Sequence, residues 1–195
     1  MNKLFYKELT LLPDQEIATN FLMSKVMSAL HLVCVEFEHR SGVVKLGIGF
    51  PEYSKEKRTL GNKVRLFATT SEVLDRTTGN SRLQHLGEYL RIGALRRTPD
   101  SVNGYVQYLR VQFKENKERL IRRYVQRHQM DLEETEKLYS NFKRPEPNLP
   151  YVTMNSLSSG QRFKLYISMV IQTSENGVPV FNSYGLIKTG SLPLF

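Results

Sequence analysis

The amino-acid sequence predicts an α+β protein in two parts: a β-α-β-β-α-β unit over residues 1–98, then a domain over 99–195 with an arginine-rich helix and short strands. Three observations carry this expectation. Short β-rich runs alternate apolar and polar residues. Two segments repeat their apolar residues with helical period. The Thr98-Pro99-Asp100 cluster punctuates the chain near its middle.

Taking the elements in order, Lys3 to Leu12 reads as a strand, and Pro13-Asp14 after it is a helix-start signal. From Glu16 to about Val35, Ala18, Leu22, Val26, Ala29, Leu30 and Val33 share one side of a helix. Val43–Phe50 and Lys63–Thr69 read as two strands, Ser71 opens a short helix, and Leu86–Leu95 returns as a fourth strand. That order is ferredoxin-like, as in RNA-recognition modules.

In the second part, Tyr105–Lys114 alternates, with Leu109, Val111 and Phe113 on one face and Arg110, Gln112 and Lys114 on the other. Glu115–His128 has helical period. Its Arg119, Arg122, Arg123 and Arg127 fall within an arc of about 140°, opposite Leu120, Ile121, Tyr124 and Val125. Asp131 followed by Glu134 has the spacing of a capping box. Pro145, Pro147 and Pro150 then end regular structure. Strands are expected at Tyr151–Met154 and Gln161–Ile171, around a serine-rich turn, before an extended tail.

A chain of 195 residues with 40% hydrophobic and 24% charged side chains can bury a core without staples. A single cysteine, Cys34, excludes an internal disulfide and a thiolate zinc site and fits a reducing compartment. With no signal-peptide pattern and no run of about 18 uncharged apolar residues, a cytoplasmic protein without a membrane partner is expected. The net charge of +9 points to a polyanion. Tyr105–His128 alone holds seven basic residues against two acidic ones.

Arginines at this spacing can follow a phosphate ridge with planar, bidentate donors, although a solvated helix face has the same composition. Among the histidines, His128 projects with Ile121 and Val125 and reads as structural, while His39 and His85 lie in polar surroundings. His31 lies on a polar stripe beside Ser24 and Ser28, late in its helix, where the helix dipole favours a charged ring. Alone it reads as incidental or as a general base. Neither His-x-x-x-His nor Cys-x-x-Cys occurs, so neither metal nor cofactor is expected.

Several ordered segments resemble one family. The most specific is Leu149-Pro150-Tyr151-Val152-Thr153-Met154-Asn155-Ser156-Leu157-Ser158-Ser159-Gly160-Gln161-Arg162-Phe163. With it come Glu118-Arg119-Leu120-Ile121-Arg122-Arg123 and Ser183-Tyr184-Gly185-Leu186. Weaker matches are Leu22-Met23-Ser24 followed by His31, Gly49-Phe50-Pro51 and Pro193-Leu194-Phe195. Together they resemble the CRISPR-associated endoribonucleases that process precursor CRISPR RNA in type I-F systems.

The resemblance implies a metal-independent cut at the base of a repeat hairpin. His31 would be the catalytic histidine, Ser156 would orient the ribose 2′-hydroxyl, and Tyr184 would position the imidazole. Arg110 and Gln112 would read base edges, in agreement with the strand alternation, and Arg119, Arg122, Arg123 and Arg127 would track phosphates. Ser158 would lie near the scissile phosphate, and Phe163 would stack under the terminal base pair, although alternation pairs it with Leu165 and Ile167. Gln126 stands where the family pattern has another arginine, which bears on affinity. The implied partners are the repeat RNA and the other subunits of a surveillance complex, with the free protein a monomer.

Overall fold

Helix α1 (Thr19–Ser41) organises the first layer of the computed structural model, which describes residues 4–112, 117–141, 147–156 and 159–195, without the side chains of Lys117 and Arg119. Asp14 closes a turn rather than opening the helix. Its Oδ1 accepts the N–H groups of Glu16 and Ile17, each at 2.8 Å, and the helix starts after Ala18. It also runs past Val35, because Phe37 is still buried, and it stops where Gly42 takes a left-handed φ of 71° and donates its N–H to the Glu38 carbonyl. Leu22, Val26, Ala29, Leu30 and Val33 are buried as the periodicity predicts, joined by Met23, Met27 and Cys34, whereas Ala18 is exposed. Burial pushes the Cys34 thiol pKa up, with the nearby Glu38 charge adding to the effect. By length and composition α1 could cross a membrane, but here nine of its residues are buried in the protein core.

Strands β1 (Phe5–Leu11), β2 (Gly47–Gly49), β3 (Lys63–Ala68) and β4 (Leu90–Ile92) form a sheet in the order β2-β3-β1-β4, and every neighbouring pair is antiparallel. Helices α1, α2 (Ser71–Thr78) and α3 (Ser81–Gln84) fill the crossovers, and β5 (Arg96–Arg97) also pairs with β1. The predicted strands are present but shorter. The expected Leu86–Leu95 strand divides into β4 and β5, with the Gly93 N–H donating to the Glu8 carbonyl between them.

A second sheet has the order β11-β6-β8-β7, made of β6 (Gly104–Val111), β7 (Tyr151–Asn155), β8 (Arg162–Gln172) and the terminal β11 (Leu192–Leu194). The expected extended tail is therefore a strand, paired antiparallel with β6. Strands β9 (Val180–Phe181) and β10 (Ile187–Thr189) make a small pair beside it. Val106 and Tyr108 are buried, so Arg110, two residues on, lies on the same face of β6 as they do. The apolar residues that define this face precede Leu109. The Tyr108 hydroxyl donates to the Phe50 carbonyl at 2.9 Å, and burial pushes its pKa up to about 12.

Residues 1–111 and 149–195 form one compact unit, and residues 112–148 form another. The smaller unit holds α4 (Lys117–His128) and α5 (Leu132–Leu138). Ile121 is buried, and the Tyr124 ring lies 4.3 Å from His128 and 5.8 Å from Tyr139, centroid to centroid. Asp131 caps α5 by accepting the Glu133 N–H at 3.0 Å.

Candidate functional site

The helical stripe Ser24–Ser28–His31 faces the second sheet. The Ser24 hydroxyl donates to the Asn20 carbonyl at 2.8 Å and accepts the Thr153 N–H at 3.1 Å, which ties α1 to β7. Because α1 continues to Ser41, His31 sits in mid-helix and not near a C-terminal dipole. Its ring is half-buried, with Nδ1 2.6 Å from the Ser183 carbonyl oxygen. A carbonyl only accepts, so Nδ1 carries the hydrogen, and in the neutral ring Nε2 keeps its lone pair for an incoming proton.

The Tyr184 ring covers His31, stacked at 4.3 Å with only 10° between the planes. Beyond Tyr184, the Arg110 guanidinium carbon stands 4.7 Å from the Tyr184 centroid and 6.0 Å from that of Phe163. This is within cation–π range. Phe163 meets Tyr184 edge-on at 6.5 Å and packs partly against the core. Alternation thus places Phe163 with Leu165 and Ile167, at the half-exposed end of their face.

The loop Asn182–Leu186 holds these groups. Asn182 Oδ1 accepts the Tyr184 N–H at 2.9 Å and the Leu186 N–H at 3.2 Å. The Asn182 N–H donates to the Leu186 carbonyl, the Gly185 N–H to the Asn182 carbonyl and the Ile48 N–H to the Gly185 carbonyl, each at 2.8 Å. Gly185 has a φ of +69°, and a Cβ there would lie 2.6 Å from Ile48 Cγ1, so this position requires glycine.

Ser156 follows β7, half-exposed, and its hydroxyl accepts the Ser159 N–H at 3.3 Å. Its N–H donates to the Gln161 carbonyl and its carbonyl accepts the Gly160 N–H, both at 2.8 Å. Ser158 lies outside the described residues. In the smaller unit, Arg122, Arg123, Gln126 and Arg127 are all exposed along α4, and Gln112 is exposed where that unit begins; the Arg119 side chain is outside the described set. His39 and His85 are exposed. Among the described residues, no group of three or more His, Cys, Asp or Glu could hold a metal ion.

The structure therefore gathers His31, Tyr184, Arg110 and Phe163. It adds Ser183, through its carbonyl, and Asn182, neither of which sequence reasoning singled out. The Asn-Ser-Tyr-Gly string is a turn signal, which is how Asn182 was detectable. A main-chain carbonyl has no signature in sequence.

The sequence pattern of a family of CRISPR-associated proteins, Cas_Csy4, matches residues 6–195. The CRISPR-associated endonuclease Cas6/Csy4 of Pseudomonas aeruginosa (strain UCBPP-PA14) is 33% identical over 193 residues, covering 97% of this chain and 98% of the relative. The protein of the same name from Escherichia coli (strain UTI89 / UPEC) is 29% identical over 190 residues, again with 97% and 98% covered.

Proposed function

The chain belongs to the Cas6/Csy4 family of CRISPR-associated endonucleases, which process precursor CRISPR RNA in type I-F systems, and from that premise we propose that it cuts its own repeat transcript at the hairpin base. The observation that carries this reading is the Nδ1–Ser183 hydrogen bond, which leaves His31 Nε2 as a proton acceptor. His31 takes the proton of a ribose 2′-hydroxyl, and Ser156 orients that hydroxyl. The 2′-oxygen forms a bond to its own adjacent phosphorus while the bond to the 5′-oxygen breaks. Once the departing oxygen takes up a proton, the products are a 2′,3′-cyclic phosphate and a 5′-hydroxyl. The nucleophile belongs to the substrate, so this chemistry requires no metal.

A positioned general base contributes about 10²- to 10⁴-fold, with in-line alignment supplying much of the remainder. Tyr184 holds the imidazole in plane. Arg110 and Gln112 read base edges low in the stem, Arg119, Arg122, Arg123 and Arg127 follow phosphates, Ser158 approaches the scissile phosphate, and Phe163 stacks under the last base pair. The β2-β3-β1-β4 order supports a ferredoxin-like domain over residues 1–98 that carries His31, with the RNA-binding domain at 99–195. The protein then stays on the processed RNA within a type I-F surveillance complex in the cytoplasm and is a monomer when free.

The test is incubation of the purified protein with a labelled repeat hairpin in EDTA, in parallel with His31→Ala. The expected outcome is a single cut with a cyclic end, abolished in the variant at unchanged affinity. Tight binding with no cut by either protein would instead make this chain an RNA-binding subunit.

A further inference from the structure

We infer that Asn182 is a positioning residue for His31, acting through the Ser183 carbonyl to select the tautomer that leaves Nε2 free to accept a proton. A free neutral imidazole prefers its proton on Nε2, the tautomer that is useless for abstraction at that atom. Here the 2.6 Å contact from Nδ1 to the Ser183 carbonyl reverses the preference, because only an Nδ1–H can satisfy that oxygen.

The carbonyl points at the ring only if the Ser183 peptide is held, and the side chain that holds it is that of Asn182. Asn182 Oδ1 spans the turn, taking the Tyr184 N–H at 2.9 Å and the Leu186 N–H at 3.2 Å. Both ends of the Ser183 peptide are thus fixed: at Asn182 by its own main-chain bonds with Leu186 and Gly185, and at Tyr184 by the Asn182 side chain. The bond to the Tyr184 N–H also holds the backbone from which the Tyr184 ring stacks on His31, 10° from its plane. One amide oxygen therefore controls two restraints on the imidazole, a hydrogen bond and a stacking surface.

This inference rests on the assignment of His31 as the base, so the experiment reads the tautomer without RNA or turnover and measures cleavage separately. Side-chain nitrogen NMR of the free protein at a pH where His31 is neutral should show Nδ1 protonated. Asn182→Ala should move the population toward Nε2–H and slow single-turnover cleavage of the cognate hairpin by at least about 10-fold, within the range a general base is worth, at unchanged hairpin affinity. Asn182→Asp, whose carboxylate oxygen can accept the same two N–H groups, should restore both the nitrogen shifts and the rate. Should Asn182→Ala not fold, Asn182→Ser, with a weaker acceptor, carries the same comparison. Unchanged His31 nitrogen shifts in the alanine or serine variant, or an aspartate variant with the wrong tautomer, would overturn the inference. The correct tautomer shifting as expected in a protein that never cleaves would instead sink the assignment of His31 as the base.

Discussion

Replacing Gly185 with alanine tests how the loop over His31 is held. Gly185 has a φ of +69°, and an added Cβ would lie 2.6 Å and 2.7 Å from Ile48 Cγ1 and Cδ1. The left-handed backbone costs a residue with a Cβ about 1–2 kcal/mol. Overpacking a filled site adds about 1–3 kcal/mol. Ile48 has no exposed surface, so its side chain has only the packed core to rotate into, and its N–H bond to the Gly185 carbonyl keeps its backbone against the loop. Gly185→Ala should therefore destabilise the protein by about 2–5 kcal/mol, read from urea unfolding midpoints at constant slope. Ile48→Ala alone should cost about 2–5 kcal/mol as a buried truncation. In the double variant the new methyl occupies space that Ile48 vacated, so the pair should fall short of the sum by about 1–3 kcal/mol, leaving the backbone cost in place. Additivity to within about 0.5 kcal/mol would refute the view that Ile48 sets the shape of this loop.

Arg122→Ala should lower the slope of log affinity against log salt by about 0.7–0.9 if this exposed guanidinium neutralises one phosphate; an unchanged slope would remove it from the interface. The Tyr108 hydroxyl supplies an alkaline signature. Its pKa is pushed up to about 12 by burial, so the folded protein keeps this proton after the unfolded chain has lost it. The contribution is therefore complete below about pH 10 and declines by about 1.4 kcal/mol per pH unit between there and the folded value. Tyr108→Phe lacks that decline, so the stability difference between the two proteins should shrink through this window. A constant difference would contradict the burial of the phenol.

What the sequence made readable was whatever repeats within one element. The spacing of Leu22, Val26, Ala29, Leu30 and Val33 identified the buried side of α1, and the alternation around Leu165 and Ile167 placed Phe163 on their face. Family resemblance, rather than periodicity, pointed to His31 and Tyr184 as partners, and they do stack. The Ser183 carbonyl stayed invisible because it lies 152 residues from His31 and belongs to the main chain, which every residue type shares. Alternation set Arg110 opposite Leu109, but which of the two faces turns to the core was not legible, because the residues that decide it, Val106 and Tyr108, lie earlier in β6. The helix end was misplaced for a simpler reason. Glu36 and Glu38 weaken the apolar pattern, although Phe37 between them is still buried.

The chain leaves the larger unit at Val111 and returns at Leu149, so the arginine-bearing segment is an insertion in one continuous scaffold. Val111 and Tyr151 both pair with Tyr166, one on each side of β8, which sets the stem of the insertion only two strand spacings wide, about 10 Å. Closing so narrow a stem costs little more for a long insertion than for a short one, because loop entropy grows only with the logarithm of length. Evolution can therefore lengthen, shorten or exchange residues 112–148 with little thermodynamic penalty to the framework around His31. The sequence of residues 112–148 is thus free to change while the framework keeps His31, Tyr184 and Asn182 together.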